Sequence, residues 1–119
     1  MNTLPNANKA SIPLEKLSNY ALDFDKDPNK AEAFRVALGY TSRNAAKLAG
    51  NISESINGFE AVLKGNHGYG DLYEVVMHIT GENGKSANVL TSWIIENGTD
   101  FPRLTSVYVT KKKSRSDGE

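Results

Sequence analysis

The chain has no cysteine, which excludes disulfide staples, thiolate zinc sites and thiol nucleophiles. It has only two histidines, His67 and His78; a structural metal site is not expected, and no cofactor is. No apolar run approaches the ~18 residues of a membrane helix. The first residues, Met1-Asn2-Thr3-Leu4-Pro5-Asn6, lack the apolar stretch of a signal peptide. Neither charge is in excess, since fourteen Lys plus Arg stand against fourteen Asp plus Glu. The whole-molecule basic field that marks many nucleic-acid binders is therefore missing. What remains is a chain of 119 residues, 39% hydrophobic and 24% charged. That is enough for one domain burying about two thirds of its unfolded surface in a single core.

There is no internal repeat and no low-complexity block. Residues 1–11 are polar and read as a linker or loose arm. Residues 111–119 hold no apolar side chain and read as a disordered basic tail. Lys111, Lys112, Lys113 and Arg115 crowd that tail; without it the chain carries ten basic against twelve acidic residues. Two readings of the tail stand, a solvated terminus and a contact for phosphate. The single domain is expected over residues 12–110.

Periodicity changes once along that domain. Ser11-Ile12-Pro13 suits a helix start, and Leu14, Leu17 and Tyr20 form an apolar stripe at steps of three. Asp27-Pro28 starts a second helix, with Ala33, Phe34, Ala37 and Leu38 as its buried face and Gly39 as its stop. Thr41-Ser42 starts a third, whose face is Ala45, Leu48, Ala49, Ile52 and Ile56. Strands follow: a short one over 59–64, then 72–80, 87–96 and 101–110, rich in Val, Ile and Tyr. Asn83-Gly84 and Asn97-Gly98 are hairpin turns, and residues 66–70 form a third connection. The expected fold is α+β, with N-terminal helices packed on one face of a C-terminal antiparallel four-stranded sheet.

No textual motif identifies the chemistry. The glycines of 65–70 and 81–84 lack phosphate-loop spacing and read as turns. Asp23, Asp25 and Asp27 fall in a connecting loop, where solvation and capping explain them. Thr91, Arg103, Thr105 and Tyr108 are polar residues interleaved with apolar ones in the last two strands. Such residues either converge on one open sheet face, where arginine, hydroxyls and a phenol suit a phosphate, or decorate a solvated face. His67, in a glycine-rich turn, suits a general base near neutral pH or is an ordinary surface residue. His78 reads as a half-buried strand residue with a satisfied hydrogen bond. Lys16, at the start of the first helix, either reaches a phosphate or solubilises the surface. Trp93 reads as core.

The stretch Ile12-Pro13-Leu14-Glu15-Lys16-Leu17-Ser18-Asn19-Tyr20-Ala21-Leu22 resembles the opening of a family of small bacterial domains of unknown function. That family is found alone, in phage-associated proteins, and at the C-terminal ends of large polymorphic-toxin proteins. The likeness continues through residues 30–39, Tyr69-Gly70, residues 81–84, Thr91-Ser92-Trp93-Ile94-Ile95 and Pro102-Arg103-Leu104-Thr105-Ser106-Val107-Tyr108. It spans roughly residues 4–110. The order of helices then meander is also similar to the barnase/EndoU/colicin/RelE fold, carried by several toxin domains of contact-dependent growth inhibition (CdiA-type) proteins that cleave RNA, often tRNA. The resemblance implies a metal-independent endoribonuclease toxin silenced by a cognate immunity protein. It would be exported as the end of a larger protein and delivered to a target-cell cytoplasm, or be cytoplasmic if encoded alone. Lack of cysteine is compatible with passage through an oxidising periplasm. Catalytic residues vary within that superfamily, so none transfers by identity.

Under this expectation Arg103 stabilises the phosphate, Thr91 and Thr105 orient its oxygens, Tyr108 or His67 moves protons, and Lys16 adds charge from the helix side. The immunity protein is expected over the sheet face or its rim, against Arg103 or residues 111–115. The alternative is a non-catalytic binding module, such as an immunity-like, antitoxin-like or phage accessory protein.

Overall fold

Helices give way to strands after residue 58 in the computed structural model, which describes residues 2–115. The helices are α1 (Leu14–Lys16), α2 (Pro28–Leu38) and α3 (Ala45–Ser55). The strands β1 (Ala61–Asn66), β2 (Gly70–Thr80), β3 (Ser86–Glu96) and β4 (Arg103–Thr110) form one antiparallel sheet in the order β1-β2-β3-β4. This is the expected α+β fold. Local chemistry sets the helix ends. The Asp27 carboxylate accepts the Lys30 N–H at 3.1 Å, Pro28 fills the first turn of α2, and Gly39 closes it at φ 75°. Thr41 N–H donates to Asn44 Oδ1 at 2.7 Å ahead of α3.

One face of the sheet meets the helices. Val75 and Met77 of β2, Val89 and Trp93 of β3, and Leu104 and Val107 of β4 pack with Phe34, Leu38, Leu48 and Ile52. Each fully buried side chain of this size contributes roughly 1.5–3 kcal/mol. The β2–β3 turn docks on the end of α2: Asn83 N–H donates to the Leu38 carbonyl at 3.3 Å. Tyr40 is buried, and its hydroxyl accepts from Asn51 Nδ2 at 2.8 Å.

Three features depart from the sequence reading. The Leu14–Leu17–Tyr20 stripe does not form, because α1 passes into a π turn over Leu17–Ala21. Leu22 N–H bonds the Leu17 carbonyl, five residues back, at 2.8 Å. The wider turn buries Leu17, Ala21 and Leu22 and leaves Leu14 and Tyr20 46% and 52% exposed.

The expected loose arm is packed. Leu4 and Ala7 lie in the core. The Asn2 carbonyl accepts from Ala61 N–H at 2.8 Å beside β1. Ser11 bridges Arg103 in parallel, through Ser11 N–H to the Pro102 carbonyl (2.8 Å) and Leu104 N–H to the Ser11 carbonyl (2.9 Å). One polar segment with two apolar anchors thus covers part of both sheet edges. Lys9 Nζ also bonds Asp100 Oδ2 at 3.0 Å, and this hydrogen bond and charge hold the Asp100 carboxyl below its ordinary range. A carboxyl lowered on folding stabilises the fold above its unfolded pKa and loses that contribution as pH falls through the folded value. Lys9→Ala is expected to move the Asp100 carbon-13 titration midpoint upward, and an unchanged midpoint would show the pair to be absent.

The second sheet face is not open. Leu90 and Ile94 are buried there too, at 1% and 5% exposure. Residues 111–115, expected to be a disordered tail, fold back across this face. Asn88 Nδ2 donates to the Lys112 carbonyl at 2.9 Å, and Glu60 N–H to the Arg115 carbonyl at 2.8 Å. Lys112 pairs with Glu74 and Arg115 with Glu60, each at 3.5 Å. These cations are neutralised within the chain. The rest of the expected tail, residues 116–119, lies outside the described residues.

Candidate functional site

β4 is an edge strand, and its side chains and those of the helices build two adjoining depressions. Lys16, Tyr20, Ala21, Lys30, Thr105, Ser106 and Val107 line the first, of about 140 Å³. Asn29, Lys30, Ala33, Tyr108 and Val109 line the second, of about 290 Å³. Lys30 belongs to both.

Each side chain arrives there for a local reason. The π turn turns Tyr20 outward, one turn beyond Lys16, whose Nζ lies 5.3 Å from the Tyr20 ring centroid. Lys26 Nζ approaches the same ring at 5.8 Å. Lys30 sits in the first turn of α2, and its Nζ lies 5.4 Å from the Tyr108 ring. Cations at such distances are attracted to the ring faces. Thr105 reaches the edge through a β-bulge. Ser92 opposes Ser106 and Trp93 opposes Leu104, so Thr105 is the extra residue. Its hydroxyl donates to the Ser92 carbonyl at 3.1 Å.

Among the described residues no carboxylate lies within 4.0 Å of the Lys16 or Lys26 ammonium, while Lys30 has Asp27 at 4.0 Å. The Asp27 carboxylate is already engaged at the start of α2. Two lysines, two phenols and the hydroxyls of Thr105 and Ser106 along one edge suit an anionic, aromatic-bearing ligand.

The expected site residues separate into groups. Lys16 and Thr105 come together, with Tyr108 beside them across Lys30. Thr91 does not join them, and its expected role at phosphate is corrected. It pairs with Val75 and Val107 on the helix-facing side and is 0% exposed. Its hydroxyl donates to the Val75 carbonyl and accepts the Trp93 indole N–H, both at 2.8 Å. An isosteric Thr91→Val leaves that buried N–H without a partner, and a loss of about 1–3 kcal/mol is expected by urea unfolding. Any activity per folded molecule should be unchanged; a variant as stable as the parent would refute the structural role.

Arg103 pairs with Ile94 on the opposite face, and its Nε bonds Glu96 Oε1 at 3.1 Å. It lines neither depression. His67 is exposed in the β1–β2 turn, on the β1 side of the sheet, and is not part of the rim. His78 is exposed, with Nδ1 2.8 Å from Asn88 Oδ1. The expected convergence of Thr91, Arg103, Thr105 and Tyr108 on one open face therefore does not occur. Tyr20, Lys26 and Lys30 carry no sequence signal that marks them as site residues. Tyr20 looked like part of an apolar stripe, and neither the π turn nor the bulge has a local sequence signature.

Among the described residues no helix is long and apolar enough to cross a membrane, and no cluster of three or more His, Asp or Glu is placed to hold a metal ion. No curated protein and no solved structure matches the chain. The family model described as a domain of unknown function (DUF6883) matches residues 3–111, from the packed arm to the end of β4, and the chain belongs to that family.

Proposed function

We propose that this domain is a metal-independent endoribonuclease acting at the β4 edge. The observation that carries the reading is the joining of Lys16, Lys30, Tyr20 and Thr105 around one depression, with Tyr108 alongside. Cleavage through the ribose needs cations where charge develops on the phosphorane, and groups that move two protons. The 2′-oxygen attacks phosphorus and loses its proton; the bond to the 5′-oxygen breaks, and that oxygen gains a proton. Lys16 and Lys30 hold the non-bridging oxygens. The Thr105 hydroxyl gives its proton to the Ser92 carbonyl, so its oxygen can accept from a ribose hydroxyl but donates nothing to the phosphate. The Tyr20 and Tyr108 hydroxyls and the lysine ammonium groups are the groups of the rim that move protons. Arg103 and His67 have no part in this version. The products are a 2′,3′-cyclic phosphate and a 5′-hydroxyl. A nuclease of this kind needs silencing in its producer; the proposed cognate immunity protein covers the β4 edge and competes with RNA, and the proposed targets of delivery are tRNAs of a competing cell. Incubation of the purified chain with tRNA in EDTA, followed by analysis of the ends, tests the reading. Cyclic phosphate ends support it; intact RNA, or cleavage only after magnesium is restored, overturns it.

One observation favours a second reading, a non-catalytic binding module. No carboxylate or imidazole lines either depression, so proton transfer falls to phenols and amines alone. Expression in a bacterial cytosol separates the two. The enzyme should stop growth unless its inhibitor is present, whereas the binding module should be harmless.

A further inference from the structure

We infer that the β4 edge takes an unpaired dinucleotide step of RNA, with its phosphate over Lys30 and a base against each of Tyr20 and Tyr108. This rests on the nuclease reading and names the conformation of its substrate.

Four observations converge. The two depressions share only Lys30. They follow one another along an extended strand, the first against residues 105–107 and the second against Tyr108 and Val109. Their centres are thus two to three strand residues apart, roughly 7–10 Å, a separation that one step of an extended polynucleotide can bridge. Each contains one tyrosine. Tyr20 is half exposed, and both rings have a lysine ammonium beside them. Aromatic faces flanked by cations are how unpaired bases and their phosphates are held without reading sequence.

A duplex fits this surface poorly. Its bases are stacked on each other and cannot lie on the two rings, and a rigid helix requires a basic surface over several phosphates. The cations that line the two depressions or lie over their rings are Lys16, Lys26 and Lys30, and the net charge of the chain is zero. The second depression is lined by Ala33, Val109 and the Tyr108 ring around Lys30 and Asn29, an apolar floor suited to a base. The first has Lys16, Thr105 and Ser106, and suits the sugar and phosphate as well. A protein ligand could also meet two tyrosines and offer carboxylates to the lysines, and it is the outcome left if neither nucleic-acid probe binds.

The test uses the full chain and fluorescence anisotropy in EDTA. The probes are a labelled 2′-O-methyl octamer of uridine and adenosine, which cannot be cleaved through the 2′-oxygen, and the same octamer annealed to its complement. The single strand should bind at least tenfold more tightly than the duplex. Tyr20→Ala and Tyr108→Ala should each weaken it about tenfold with the salt dependence unchanged. Lys30→Gln should lower the slope of log affinity against log salt by about 0.7, one single-strand phosphate. Equal binding of strand and duplex, or indifference to both tyrosines in variants that melt like the parent, overturns the inference. Cleavage is assayed separately on unmodified tRNA. Cleavage without single-strand preference leaves the nuclease reading and removes this one; single-strand binding without cleavage does the reverse. Binding of neither probe overturns the inference and leaves the rim to a protein partner.

Discussion

Gly81→Ala is expected to cost about 3 kcal/mol or more and to lower the melting temperature by roughly 10 °C or more. A Cβ at Gly81 would overlap the Leu38 carbonyl oxygen and stand 2.6 Å from the Leu38 Cα. Those are backbone atoms at the end of α2, so no rotamer can relieve the overlap. The turn would have to leave the helix, breaking the Asn83 N–H bond to the Leu38 carbonyl. It would also loosen the packing of Leu38 against the sheet. Gly50 gives the opposite expectation. It lies inside α3 with nothing within 4 Å of an added Cβ, so Gly50→Ala should stabilise the chain by about 0.5–1 kcal/mol. Thermal melts of the two variants check both signs. A Gly81→Ala chain that melts with the parent would mean that the β2–β3 turn does not dock on α2.

Replacing both Lys16 and Lys30 by alanine is expected to lower RNA cleavage about a thousandfold or more, while the chain stays folded. Loss of one preorganised donor to developing charge costs about 100- to 1,000-fold, and here both cations at the depression are lost. Neither lysine is in the core, so the melting temperature should change little. Arg103→Ala is the informative contrast. Its guanidinium is held by Glu96, and a partly exposed pair of this kind is worth about 0–1 kcal/mol. Cleavage by that variant should stay within about threefold of the parent. Single-turnover rates on one tRNA decide the matter. Equal loss on removing Arg103 would move the site to the other sheet face.

The features legible in the sequence are those with local causes. Asp27-Pro28 and Gly39 delimit α2 because capping, ring geometry and a left-handed φ act within one turn of chain. The Asn-Gly turns and the alternation of β3 specify an antiparallel meander for the same reason. What was missed depends on tertiary context. A π turn adds one residue to a helical turn and reverses which of Leu14, Tyr20 and Leu22 is buried. A bulge moves Thr105 alone out of register. Thr91 shows the limit of residue type as a guide: its hydroxyl looked available, yet the pairing with Val75 and Val107 places it in the core, where Trp93 and a carbonyl use it. The arm looked polar because its two anchors, Leu4 and Ala7, stand among Asn, Thr, Ser and Lys. In the segment 111–115 the positive charge was legible, but the partners Glu74 and Glu60 lie 38 and 55 residues earlier in the sequence.

The most direct measurement of the central claim is sequencing of RNA 5′- and 3′-ends from bacteria after a brief pulse of expression, comparing the parent chain with the Lys16→Ala/Lys30→Ala variant. A small set of new ends is expected in the parent alone. They should fall in unpaired RNA, with cyclic phosphate on one side of each cut and 5′-hydroxyl on the other. RNA ends identical to those of an empty control, or cuts that persist undiminished in the double variant, would contradict it.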